Sequence, residues 1–349
     1  MHIDQLLTYL EKEKGSDLHI TVSSPPMMRV HGHLSPIGNV VVTHEMAEVL
    51  VKQISPPQRF EEFVEVGESD FSYTTQAGTR FRVNIYKQRG HYGIAARIIT
   101  TTIPKAEELG LPAVYETLAC KHKGLVLITG PTGSGKSTTL ASIMDYINSN
   151  RSEHIITVED PIEYVHKNKL SIVNQREVGA DTGSFNNALR AALREDPDVI
   201  LIGEMRDMET IEIALTAAET GHLVFSTLHT VSAPKTIDRI VGIFPAEKQD
   251  VIRTQLSGVL EAVISQQLLP KIGGSGRVAA FEVMTKTPAI SNLIREGKIH
   301  QLYSTMQTSA QYGMTLMDKS LSDIVRSGAV DFDTAIEYAV DPEAFRKNR

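Results

Sequence analysis

The chain has 349 residues, 41% of them hydrophobic and 22% charged, the composition of an ordinary soluble globular protein with room for about two domains. Its 35 Lys and Arg stand against 42 Asp and Glu, a net charge of −7 with no basic excess to advertise a nucleic-acid surface. The single cysteine, Cys120, excludes an internal disulfide and a multi-cysteine zinc site, and no apolar run approaches the ~18 residues of a membrane span.

A reducing cytoplasm is the expected compartment. The first residues, MHIDQLLTYLEKEKG, read as an amphipathic helix carrying acids rather than a signal peptide, so membrane association is expected through a partner and not by insertion. Residues 1–100 read as a small α+β domain, 101–113 as a linker, 114–285 as a sheet-and-helix core, and 286–349 as a helical C-terminal region. In the first domain, Ile3, Leu6, Leu7 and Leu10 make a helix that stops at Gly15. A second helix is expected over Thr43–Gln53, with Thr43 as N-cap and Ser55-Pro56-Pro57 as its end. Short alternating stretches at Leu18–Val22, Met27–Val30, Phe71–Tyr73, Arg80–Tyr86 and Tyr92–Ile98 read as strands. Period two sets Phe81, Val83 and Ile85 on one face and Arg80 and Arg82 on the other. Those arginines form either a solvated basic face or, with Arg97, a clamp over a triphosphate at a domain or subunit boundary. Thr100–Pro112 carries the linker punctuation, TTTIP and ELGLP.

From Tyr115 onward strands and helices alternate, as in a parallel sheet with helices packed on it. The run Leu125-Val126-Leu127-Ile128 breaks at Gly130 into Gly130-Pro131-Thr132-Gly133-Ser134-Gly135-Lys136-Ser137-Thr138, a complete phosphate-binding loop entering a helix. Glycines let backbone N–H groups crowd round a triphosphate, Lys136 reaches the outer phosphates, Ser137 can ligate Mg²⁺, and the helix N-terminus favours the anion. The next strand, His154–Val158, runs into Glu159-Asp160-Pro161-Ile162-Glu163, three carboxylates leaving the sheet where a cation or a hydrolytic water would sit. Which of the three touches water stays open.

A helix over Phe185–Arg194 leads through Asp196-Pro197-Asp198 to the buried run Val199–Ile202 and then Gly203-Glu204. Gly203 stands where a nucleoside triphosphatase usually has a strand-end aspartate. Glu204 is therefore expected either to hold Mg²⁺ through water or to polarise the attacking water. A helix over Met208–Thr220 precedes the strand Leu223–Thr227, bracketed by His222 and His229. Seven extended residues span roughly 23 Å, so the two histidines cannot share one phosphate; His229 is the phosphate-sensing candidate and His222 a turn cap or interface residue. Val251, Ile252, Leu256, Val259, Leu260, Val263 and Ile264 read as one long apolar helical stripe, with a hairpin of Ile264–Lys271 and Arg277–Val283 around Gly273-Gly274-Ser275-Gly276 behind it. Short helices are expected at Pro288–Glu296, Ile299–Thr308, Leu316–Ser327 and Asp331–Ala339.

Residue by residue this is a P-loop nucleoside triphosphatase, and its motifs alone do not say what work the hydrolysis drives. Three further stretches resemble the secretion and type IV pilus ATPases. They are Ile156–Glu163, similar to that family's aspartate box; Asp196–Glu204, similar to its atypical Walker B; and Thr220–Thr230, similar to its histidine box. The chain resembles the PilT-type retraction branch in particular. It has one cysteine where assembly ATPases carry an extra N-terminal domain and a tetracysteine zinc module. It also has Ala289-Ile290-Ser291-Asn292-Leu293-Ile294-Arg295-Glu296, departing from the retraction signature at Ser291, where that signature has arginine.

The resemblance implies a homohexameric ring of PAS-like N-terminal and RecA-like ATPase domains with ATP and Mg²⁺ between them. Lys136 and Ser137 would then hold phosphate and metal, Glu204 assist metal or water, and Glu163 act as general base. Arg82 and Arg97 would neutralise charge, with Arg239 reaching in from a neighbour. It further implies work on an inner-membrane pilus platform protein from the cytoplasmic face, with a paralogous retraction ATPase as a further partner, and no nucleic acid. The alternatives are a pilus assembly or secretion ATPase or an accessory retraction paralogue. Beyond those stand a nucleic-acid translocase, against which the net charge counts, and a nucleotide-binding scaffold, against which two candidate catalytic acids count.

Overall fold

A computed structural model describes residues 1–30, 32–99, 102–274 and 276–347. Thr100 and Thr101 of the expected linker and Ser275 of the expected turn lie outside the described residues. The chain divides into two units, Met1–Thr102 with Pro161–Val165, and Ile103–Asp160 with His166–Arg349.

In the first unit, three helices, α1 (Ile3–Lys12), α2 (His44–Ile54) and α3 (Pro57–Val66), accompany six antiparallel strands. The strands are β1 (Asp17–Ile20), β2 (Met27–Val30), β3 (His33–Pro36), β4 (Glu68–Thr74), β5 (Arg80–Gln88) and β6 (His91–Ile98), in the order β3-β2-β1-β6-β5-β4. Thr43 caps α2 by accepting from the Met46 N–H, as its residue type requires. The Pro56-Pro57 pair that ends α2 also starts α3: proline lacks only an N–H that a first helical turn leaves unsatisfied anyway. That helix, and strand β3, went unread in the sequence. Ile3, Leu7, Leu10, Leu50, Ile54 and Phe63 pack with Phe81, Val83 and Ile85, all buried. Arg82 lies on the other face of β5, directly across from Arg97 on β6.

The second unit is an α/β structure with a seven-stranded sheet in the order β13-β12-β7-β11-β10-β8-β9. Its strands are β7 (Gly124–Thr129), β8 (His154–Glu159), β9 (Ile172–Glu177), β10 (Val199–Ile202), β11 (Leu223–Leu228), β12 (Leu260–Pro270) and β13 (Arg277–Thr285). Every pairing is parallel except β12 with β13. The helices α4 (Val114–Ala119), α5 (Lys136–Asn150), α6 (Phe185–Ala192), α7 (Met208–Glu219), α8 (Ala233–Gly242) and α9 (Ala246–Val259) are interspersed with these strands, with β8 and β9 consecutive and α8 and α9 consecutive. The central strands β7, β10 and β11 are buried along their whole length, which is why β7 and β10 read as continuous apolar runs and β11 opens on Leu223-Val224-Phe225.

The long apolar stripe is not one helix. α9 ends at Val259, Val251 is 59% exposed, and Leu260, Val263 and Ile264 belong to β12, which pairs with β7 on one side and β13 on the other. A strand covered on both faces offers no period-two signal, so its β-branched residues ran on from the helix pattern. Five further helices follow: α10 (Pro288–Arg295), α11 (Leu302–Gln307), α12 (Met317–Arg326), α13 (Phe332–Ile336) and α14 (Pro342–Lys347). Ile290, Ile294, Leu302 and Met306 are part of the sheet's main core, while Met317, Leu321, Ala335 and Phe345 pack on Leu269 and Ala280 of β12 and β13. Among the described residues no helix is long and apolar enough to cross a membrane.

Candidate active site

In a parallel sheet all strand C-terminal ends open on one edge, and here that edge carries, in spatial order, Gln266, the glycine-rich loop, His229, Glu204, and Glu159 with Asp160. The loop follows β7. Gly130 has φ +145°, and a Cβ there would run into the carbonyl oxygen of Gln266 and come within 2.6 Å of Ser134 Oγ, so only glycine fits. Gly133 and Gly135 also have positive φ. Lys136 is buried, its ammonium donating to the carbonyls of Gly130 (3.0 Å) and Pro131 (3.1 Å). Ser137 is exposed and Thr138 half-buried on the first turn of α5, with Pro131 and Thr132 exposed at the loop tip.

Two strands away, Glu204 follows the end of β10. Its Oε1 lies 3.1 Å from His229 Nε2, and its Oε2 pairs at 2.8 Å with the Arg206 guanidinium. Burial pushes the Glu204 carboxyl up. Arg206 and His229 together outweigh that, and the group ends below its ordinary value, ionised at neutral pH. Arg206 was not picked out in the sequence, although its place two residues after the strand-end acid is the signal that would have found it. The strand end is fixed from both sides: Gly203 N–H donates to Val158 O at 2.8 Å, and Thr227 Oγ1 donates to Gly203 O at 2.6 Å. A Cβ at position 203 would meet Val158 O at 3.2 Å and Glu159 Cα at 3.3 Å. The tight approach of β8 thus explains a glycine where an acid was expected, with the carboxylate moved one residue on.

Glu159 is half-buried and accepts from Thr157 Oγ1 (2.6 Å) and Gln175 Nε2 (3.1 Å), whereas Asp160 is exposed. His222 closes the turn after α7, its Nδ1 2.9 Å from Ala217 O, at the opposite end of β11 from His229. Arg239 is exposed in the last turn of α8. Arg82, Arg97 and Glu163 belong to the first unit. There Arg97 Nε bonds Asp17 at 2.7 Å and Arg82 pairs with Asp70 at 2.7 Å; Glu163 is exposed. Gln266 and Thr139, which brace the loop from beneath, were not singled out in the sequence either.

A phosphate cradle at the end of a central strand, with an ionised carboxylate and an imidazole beside it, defines a P-loop nucleoside triphosphatase. Residues 106–335 match the family described as "Type II/IV secretion system protein", and the chain belongs to that family; it is an ATP-hydrolysing enzyme. Within the family it is of the PilT type. It is 50% identical over 345 residues (99% of this chain, 100% of the relative) to the "Type IV pilus retractation ATPase PilT" of Pseudomonas aeruginosa. It is 41% identical over 339 residues (97% and 89%) to the "Type IV pilus ATPase PilU" of the same organism. A solved structure described as "Crystal Structure of the Pilus Retraction Motor PilT and Bound ADP" superposes with a TM-score of 0.93 at 46% identity, covering 99% of both chains.

Proposed function

We propose that this chain is the ATP-driven motor of type IV pilus retraction and hence of twitching motility, acting as a homohexamer on an inner-membrane platform protein at the cytoplasmic face. The observation that carries the reading is similarity along the whole chain, at 50% identity, to a protein described as a retraction ATPase. An accessory motor is the second reading, supported by the 41% identity to PilU.

In the motor reading, the loop from Gly130 to Thr138 holds the phosphates, with Lys136 leaving the loop carbonyls for the β- and γ-phosphates as they enter. Mg²⁺ takes hard oxygen ligands and keeps several waters of its own. The exposed Ser137 hydroxyl and Asp160 carboxylate are donors of that kind. Glu204, with both oxygens already engaged, suits a hold on metal-bound water better than direct ligation, and Glu159 is tied into the sheet. The cation, when bound, neutralises charge on the phosphates.

A carboxylate held below its ordinary pKa orients water well but takes a proton poorly. Glu204 therefore positions the attacking water, His229 reports the γ-phosphate to Glu204, and Glu163 is left as the proton acceptor. Arg82 and Arg97 would leave Asp70 and Asp17 to meet phosphate charge, and Arg239 would act from a neighbouring subunit. Lys136→Ala should abolish ATP turnover, and Glu204→Gln should lower it by about 100-fold or more, both with circular dichroism unchanged. Wild-type phosphate release by either well-folded variant would sink these assignments.

A further inference from the structure

Below the phosphate loop lies a polar bracket that no phosphate-binding motif includes. Strand β12 runs parallel to β7 with Ser265 opposite Thr129, their hydroxyls 2.7 Å apart, so the next residue, Gln266, stands level with the first glycine of the loop. Gln266 is 2% exposed. Its amide spans two elements: Nε2 donates to the carbonyl oxygen of Ser134, inside the loop, and Oε1 accepts from Thr139 Oγ1 at 2.8 Å, in the first turns of α5. A carbonyl oxygen can only accept, so the nitrogen must face Ser134, and the Thr139 hydroxyl is thereby made the donor. Ser134 and Thr139 are each 3% exposed, and water does not compete for these bonds.

The bond to Ser134 bears on the ligand side of the loop because a trans peptide is planar, with its C=O and N–H pointing opposite ways. Fastening the Ser134 carbonyl towards β12 aims the Gly135 N–H away from β12. Gly135 sits at φ +88°, and a Cβ there would fall 3.1 Å from Gln266 Nε2, so the peptide is held by close packing as well as by the bond.

We propose that Gln266 is a positioning residue for nucleotide binding: it locks the Ser134–Gly135 peptide and the start of α5 together, so the loop meets phosphate with its N–H groups already aimed. Gln266 does not touch the nucleotide; it acts through Gly135. The inference rests on the assignment of Gly130–Thr138 as the phosphate site, so Lys136→Ala is measured alongside.

The full-length wild type, Gln266→Met and Thr139→Val are compared by steady-state ATPase kinetics, ADP affinity and thermal melting. Gln266→Met keeps the shape and removes both bonds. It is expected to raise KM for ATP and Kd for ADP about tenfold with kcat within about twofold, since a loop N–H contact serves ground and transition states alike. Thr139→Val leaves the Ser134 bond and should raise both about threefold. A wild-type KM and Kd in Gln266→Met, or a loss confined to kcat or melting temperature, overturns the inference. If Gln266→Met fails to fold, an unchanged KM and Kd in Thr139→Val overturns it instead. Wild-type turnover by Lys136→Ala would remove the phosphate-site assignment itself, whereas an inactive Lys136→Ala beside an unaltered Gln266→Met removes only the bracket.

Discussion

Glu204 shows how a single side chain is tuned by two neighbours, Arg206 two residues along its own strand end and His229 at the end of the adjoining strand. Its ionisation comes from Arg206 and His229 against the cost of burial, and neither partner lies in the phosphate loop. The acid was legible in the sequence as the first carboxylate after a buried strand; its pairing with His229 depends on β10 and β11 being neighbours, which no local pattern records. His166 carries a second, testable consequence of burial. Its Nδ1 is closed off from solvent without a hydrogen-bond partner, and burial pushes its pKa from 6.5 down to about 4. The unfolded chain binds a proton below pH 6.5 that the folded chain refuses until about pH 4, so stability is full above 6.5 and falls as the pH drops through that window. Between pH 7 and pH 5 the loss should be about 2 kcal/mol, read from urea midpoints, and His166→Gln should flatten it. Equal slopes in wild type and variant would mean that this ring is hydrated.

At the scale of elements, the strand that matters most is the one the sequence concealed. β12 carries Ser265 and Gln266 beneath the loop, Leu269 against the C-terminal helices, and Glu282 across from it on β13 accepts the Ala233 N–H at the start of α8. Elements with a clean signal were read with little error: β7 and β10 from apolar runs, β11 between its bracketing histidines, α2 from its Thr43 cap and α7 over Met208–Thr220. α9 and β12 merged because no turn residue separates Val259 from Leu260, and α3 was hidden behind a proline pair taken only as a stop. The β7–β12 contact makes Gly130→Ala diagnostic. Its Cβ would press on the Gln266 carbonyl at a φ that alanine adopts only with strain. The substitution should cost about 2–4 kcal/mol in unfolding free energy and eliminate ATPase activity. A variant with wild-type stability and activity would show that β12 does not abut the loop.

For the whole molecule, the division into two units sets what the sequence could show. The first unit was legible as a small α+β domain. The grouping of Pro161–Val165 with that unit was not, because a five-residue stretch within the carboxylate-bearing segment brings no shift in composition. That grouping takes Glu163 out of the sheet unit whose strand ends carry Glu204 and His229, and leaves Asp160 within it. Arg82 and Arg97 stand as neighbours across β5 and β6, each with an acid of its own, Asp70 and Asp17. The Arg82–Asp70 pair is exposed, and a pair of that kind contributes about 0–1 kcal/mol to stability. Asp17 is buried: burial pushes its carboxyl up, and the hydrogen bonds from Ser16 and Arg97 outweigh that and hold it below its ordinary value. The most direct test of the motor is pilus number and retraction in cells lacking this gene, complemented with the wild type or with Lys136→Ala. Abundant pili that never retract, rescued by wild type alone, is the predicted result. Cells without pili, or normal retraction restored by Lys136→Ala, would contradict a retraction motor driven by this phosphate loop.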